Sequence, residues 1–171
     1  MELASLVRDV PDFPVKGILF KDITTLIRNG DALREVIEWM AGQYADKGID
    51  GVVAIEARGY IFGAPLAYKL GAGFVPVRKP GKLPADTISE SYALEYGTNT
   101  LEMHQDAIQP GQRVVVVDDL LATGGSAKAA INLVERCGGT VLGVAFMIEL
   151  DFLHGRDKLE GYDVISLIHY A

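Results

Sequence analysis

The stretch Val114 to Ala130, VVVVDDLLATGGSAKAA, holds the residues whose types and spacing are best suited to chemistry. Four β-branched residues deliver two adjacent acids, Asp118 and Asp119, to a glycine-rich turn that opens a helix. Gly124 and Gly125 let backbone N–H groups approach phosphate oxygens closely, Thr123 and Ser126 add hydroxyl donors, and the helix dipole favours an anion. Two carboxylates beside a phosphate cradle repel that phosphate and need donors of their own, which sugar hydroxyls supply. A ribose 5-phosphate satisfies both halves. The competing phosphate motifs fail on spacing: GxxxxGK[ST] is absent, and Gly71 and Gly73 are followed by Pro76 where GxGxxG requires its third glycine.

Two further groups of residues bear on an anionic ligand. Arg58 follows a short apolar run, and a guanidinium is a planar donor for anions. Arg78, Lys79 and Lys82 form a local basic cluster at the end of another apolar run, against the overall charge of the chain. His104, His154 and His169 lack metal-ligand spacing with a Cys or with one another, so no structural zinc site is expected.

The elements that must position these residues follow from periodicity. Leu33, Val36, Ile37, Met40 and Tyr44 recur at helical spacing behind an expected Asp31 cap, and further helices are predicted over 60–70, 126–137 and, briefly, 152–159. Apolar runs predict five strands over 52–55, 74–77, 114–117, 141–147 and 164–168. Continuous apolar strands alternating with helices indicate a single α/β domain over 1–171, with a mostly parallel sheet flanked by helices. The first thirty residues, with Pro11, Pro14 and Gly17, are expected to be extended and to form a small hood. The connection from Lys79 to Arg113 is too long for an ordinary crossover, and 80–104 is expected to be a flexible lid loop.

Composition narrows the function class. With 171 residues, 49% of them hydrophobic, the chain can bury one core, and a net charge of -7 argues against a nonspecific grip on nucleic acid. One cysteine, Cys137, excludes an internal disulfide and fits a reducing cytoplasm. Met1 to Val10 has no long apolar stretch, so neither a signal peptide nor a membrane anchor is expected.

DDLLATGGS resembles the phosphoribosyl pyrophosphate motif of the type I phosphoribosyltransferases, and its wording is similar to the adenine-specific members. The resemblance extends to FPVKGILFKDIT at 13–24, EARGYIFG at 56–63, VRKPGKLP at 77–84 and SYALEYG at 91–97. It implies transfer of a phosphoribosyl group to adenine, giving AMP and pyrophosphate, with Mg²⁺ arriving on the substrate diphosphate and the chain forming a homodimer. Asp118 and Asp119 are then expected on the ribose hydroxyls, Ala122, Thr123, Gly124, Gly125 and Ser126 on the 5-phosphate, and Arg58, Arg78, Lys79 and Lys82 on the pyrophosphate. Ser126 stands where Thr is usual and keeps the hydroxyl.

The same resemblance implies a cis Glu56–Ala57 bond, a closing loop that carries Glu95 as acid/base and Tyr96 beside it, and adenine read near Leu19, Phe20 and Lys21. Lys21 stands where Arg is common, which keeps the charge and loses the fork. Two alternatives stay open: the same reaction on another purine, or a regulatory module that senses phosphoribosyl pyrophosphate without catalysis. The second normally needs a DNA-binding region, for which this chain has neither spare length nor the right charge.

Overall fold

A computed structural model describes residues 1–94 and 96–171. Glu95, the expected acid/base, therefore lies outside the described residues. The chain groups into two compact units, Met1–Trp39 and Met40–Ala171.

In the first unit a 3-10 turn over Leu3–Leu6 leads into strand β1 (Arg8–Pro11), which pairs antiparallel with β2 (Leu19–Asp22). The register sets Arg8 opposite Asp22 and Asp9 opposite Lys21, so opposite charges face each other at both positions. Lys21 Nζ donates to Asp9 at 2.6 Å and Arg8 Nε to Asp22 at 3.0 Å. Helices α1 (Thr24–Ile27) and α2 (Gly30–Tyr44) follow, the latter carrying the chain into the second unit. The cap of α2 is Asn29 and not Asp31. Asn29 Oδ1 accepts the N–H groups of Asp31 and Ala32, both at 3.1 Å, which leaves Asp31 inside the first turn.

The second unit is built on a five-stranded parallel sheet, β4-β3-β7-β8-β9, formed by β3 (Gly51–Ile55), β4 (Gly73–Val77), β7 (Arg113–Leu121), β8 (Thr140–Leu150) and β9 (Val164–Tyr170). Helix α3 (Arg58–Leu70) joins β3 to β4, and α4 (Gly125–Arg136) joins β7 to β8. Alternation along β3 separates their faces. A Cβ at Gly63 of α3 would lie 2.6 Å from Ala54 and 3.7 Å from Val52. Val53 and Ile55 instead share a core cluster with Ala127, Ile131 and Val134 of α4. Val52 to Ala54 are fully buried, as a strand covered on both sides requires.

The segment expected to be a loop contains two strands, β5 (Thr87–Ala93) and β6 (Thr98–His104), paired antiparallel from Thr87↔His104 to Ala93↔Thr98. Leu101 and Met103 alternate inward and join the core, while Glu102 between them binds back to the strand end at Arg78. The short helix expected near 152–159 is two 3-10 turns, Asp151–Leu153 and Gly155–Leu159. β7 and β8 outrun their predicted ends because their pairing continues past the point where β3 stops. Among the described residues no helix is long and apolar enough to cross a membrane.

Candidate active site

Strand order decides where a ligand can sit. From β3 the chain moves outward to β4, then returns to the other side of β3 as β7 and continues outward through β8 and β9. The carboxyl ends of β3 and β7 thus flank a topological switch point, where a crevice opens because successive connections leave in opposite directions. A cavity of about 350 Å³ occupies it, lined by Glu56, Arg58, Asp118, Asp119, Lys79 and Ser126 among others. Beside it, a cavity of about 210 Å³ is lined by the continuous run Leu120 to Ala127. Tyr92 of β5 borders both.

The acids lie within β7, past its last pair with β3 at Val117. Asp119 is one of two buried charged residues among those described, 5% exposed, and Arg58 Nε donates to its Oδ2 at 2.6 Å. Pairing through Nε fixes the plane of the guanidinium at the start of α3. Burial opposes the charge of Arg58, but the Asp119 carboxylate holds its pKa above the ordinary value. Asp118 is half-buried and its Oδ1 accepts the Asp119 N–H at 2.8 Å. Burial first, and then the Asp119 carboxylate beside it, pushes Asp118 well above the usual carboxylate range. Gly59 permits this crowding, since a Cβ there would stand 3.0 Å from Asp118 Oδ1.

The Glu56–Ala57 bond at the end of β3 is cis. Glu56 Oε1 accepts the Lys79 N–H at 2.7 Å and its Oε2 accepts from Arg78 Nη2 at 3.3 Å. Burial would raise Glu56, yet these two donors outweigh it and hold its pKa below the ordinary value. No role for Glu56 was read from the sequence, where its only signal is a carboxylate two positions before Arg58 in EARG. In the glycine-rich loop, Gly124 takes φ +88° as the residue before α4, a conformation that glycine adopts without cost. The Tyr92 ring closes over Gly125, where a Cβ would meet it at 2.7 Å.

This arrangement has close relatives. Residues 22–168 match the family described as phosphoribosyl transferase domain. The chain belongs to the phosphoribosyltransferase family. An adenine phosphoribosyltransferase of Chloroflexus aurantiacus is 60% identical over 99% of this chain and 98% of that protein. The crystal structure of the adenine phosphoribosyltransferase of Thermoanaerobacter pseudethanolicus superposes with a TM-score of 0.96 at 57% identity, covering 99% of this chain and 98% of that one. The Saccharomyces cerevisiae adenine phosphoribosyltransferase, solved with adenine and an imino-altritol bisphosphate, gives a TM-score of 0.91 at 42% identity, covering 97% and 96%.

Of the residues that the sequence analysis assigned to this phosphoribosyltransferase site, the structure gathers Arg58, Lys79, Asp118, Asp119 and Ser126 around one cavity and Ala122 to Ser126 around its neighbour. Arg78 faces Glu56, and neither it nor Lys82 lines either cavity. Tyr96 is 87% exposed. In the first unit, Leu19 is exposed, Lys21 is held by Asp9, and Phe20 meets Phe13 edge to face with ring centroids 5.1 Å apart.

Proposed function

We propose that this phosphoribosyltransferase transfers the 5-phosphoribosyl group of phosphoribosyl pyrophosphate to adenine, releasing pyrophosphate and forming AMP, a step of purine salvage. The observation that carries this reading is the pair of adjoining cavities at the switch point, one lined by the acids and the other by the glycine-rich loop. Asp118 and Asp119 hold the ribose hydroxyls, and Ala122, Thr123, Gly124, Gly125 and Ser126 hold the 5-phosphate. Arg58 and Lys79 stabilise the pyrophosphate as it leaves, with Arg78 and Lys82 supporting from the flank. The bond from the anomeric carbon to the diphosphate oxygen breaks while the bond from adenine N9 forms.

Mg²⁺ suits the departing diphosphate, whose charge it neutralises. Glu56 and Asp119 are already engaged by Arg78 and Arg58, which favours an ion that enters on the substrate's own oxygens. Among the described residues, the group close enough to share a cation is Glu149, Asp151 and His169, none of which lines either cavity.

Adenine is assigned to Leu19, Phe20 and Lys21. Support comes from the relative solved with adenine and from the exposed apolar residues Phe13, Val15, Ile18 and Leu19, which suit a purine face. Glu95 acts as acid/base at the imidazole edge, and Tyr96 belongs to the segment that closes over the reacting groups and excludes water from an oxocarbenium-like centre. The full chain, 1–171, works as one phosphoribosyltransferase domain with 1–30 as hood and 80–104 as lid. Exposed Tyr68 and Phe74 favour self-association as a homodimer, and the lone Cys137 suits the cytoplasm.

The test is pyrophosphate release from phosphoribosyl pyrophosphate and Mg²⁺ with adenine, hypoxanthine, guanine or xanthine offered separately. Turnover with adenine, lost in a variant carrying Asp118→Asn and Asp119→Asn, is expected. Preference for another base overturns the specificity, and ligand binding without turnover on any base favours the sensor. Sizing in solution across protein concentrations checks the dimer.

A further inference from the structure

The 3-10 turn Gly155–Leu159 supplies no group to the chemistry above, yet its backbone approaches the phosphate loop more closely than side chains permit. A Cβ at Gly155 would lie 2.5 Å from the Ala122 carbonyl oxygen and 2.8 Å from Leu121 Cδ1. A Cβ at Gly124 would lie 2.5 Å from the Gly155 carbonyl oxygen. The two segments therefore meet glycine to glycine. Gly124 is also required by its φ of +88°, whereas Gly155 is not among the residues with positive φ, so contact alone demands a glycine there.

The backing segment is itself anchored at both ends. Arg156 Nε donates to both carboxylate oxygens of Glu149 at 2.9 Å, and its Nη1 donates to the Val164 carbonyl at 3.0 Å. Glu149 is 5% exposed in β8 and also accepts from Ser166 Oγ at 2.7 Å. A buried carboxylate that loses such a partner is left uncompensated, which makes the pair a firm anchor. At the other end Leu159 is 1% exposed and packs in the core cluster shared with α4.

We infer that Gly155 and Arg156 are positioning residues for the phosphate loop: the Glu149–Arg156 pair holds Gly155 against Ala122 and Gly124, fixing the loop's backbone donors for a sugar 5-phosphate. The inference rests on the reading of Ala122 to Ser126 as the 5-phosphate site. It assigns a binding role to a segment remote from the reacting bond, and it separates affinity for the sugar phosphate from affinity for the base.

The experiment uses the full chain and two variants, Gly155→Ala and Arg156→Gln. Calorimetric titration with ribose 5-phosphate is read beside KM for phosphoribosyl pyrophosphate, KM for adenine, and thermal unfolding. Ribose 5-phosphate affinity should fall about tenfold in each variant, short of the roughly hundredfold that a 1 Å misplacement can cost. KM for phosphoribosyl pyrophosphate should rise in parallel while KM for adenine stays within about twofold, the residual coupling expected between distant independent sites. Arg156→Lys, which keeps a charge opposite Glu149, should recover part of the loss. Folded variants with unchanged ribose 5-phosphate affinity, or KM values that rise together for both substrates, would overturn the inference. If the parent chain binds ribose 5-phosphate but does not turn over adenine, the proposed reaction falls while the affinity comparison still decides the role of Gly155. Should the parent bind no ribose 5-phosphate, both readings fall.

Discussion

Asp118 combines a functional demand with a structural cost. It is held beside a second carboxylate in a partly buried cavity, an arrangement that favours its protonated form. A carboxyl group whose folded pKa is raised contributes stability in full below its unfolded pKa, and that contribution is lost as pH rises through the folded pKa. Asp118→Asn should therefore raise the melting temperature at neutral pH by roughly 2–4 °C, the shift that about 1 kcal/mol produces in a chain of this size. The gain should vanish as pH falls below the ordinary carboxylate range. Turnover should drop in the same variant if Asp118 holds a ribose hydroxyl as proposed, because the amide keeps only one acceptor oxygen and cannot carry the carboxylate charge. Melts between pH 3 and 8, read beside steady-state rates, check both halves. For Glu95, proton transfer is worth roughly 100 to 10,000-fold. Glu95→Gln should lower kcat within that range and leave ribose 5-phosphate affinity unaltered; unchanged turnover would remove the acid/base role.

At the scale of elements, the β5–β6 hairpin is the main departure from the expectation of a long flexible loop. Met103 is fully buried and Leu101 nearly so, and both pack in the same cluster as Ile131 and Val134 of α4. Met103→Ala should cost about 2–5 kcal/mol of stability, as for other buried large-to-small changes, measured by urea unfolding. A cost below about 0.5 kcal/mol, the range of ordinary surface substitutions, would mean that the hairpin is not part of the core. The alternation that builds β6 is present in TNTLEMH, but only Leu101 and Met103 are apolar on its inner face, so the surrounding Gly, Pro and Ser residues outweigh it. The strands 114–117 and 164–168 were legible because every position in them is apolar or nearly so, a pattern that survives without knowledge of the partner strands. The true ends of strands 114–117 and 141–147 were not, since Asp118 and Glu149 belong to strands only through pairing with a neighbour.

For the whole molecule, the pH response follows from where carboxylates are held. Thr24, through its hydroxyl and its N–H, and Arg8 bring Asp22 down to about 2, while Arg156 and Ser166 outweigh burial to lower Glu149. Depressed carboxylates contribute stability above their unfolded pKa and lose it as pH falls through the folded one. Stability should therefore decline as pH drops from about 4 towards 2, the interval between ordinary and folded values for Asp22. Asp22→Asn should flatten that part of the profile, as followed by thermal melts across the acid range; an unchanged slope would mean that Asp22 titrates alike in both states.

The sequence by itself determined the chemistry available and the alternation of strands with helices, because both are written in local order: acids after an apolar run, glycines before a helix, a basic cluster at a strand end. Tertiary structure decided which of those groups share a cavity. Arg58 and Asp119 are 61 positions apart in the chain and become an ion pair only because β3 and β7 are neighbours in the sheet. Gly155 shows the same physics at the backbone. Nothing in HGRDKL indicates a ligand loop, and only the folded chain brings that glycine to within van der Waals reach of Ala122. Local periodicity records what each segment must bury, whereas contact between distant segments depends on strand order, which no single segment encodes.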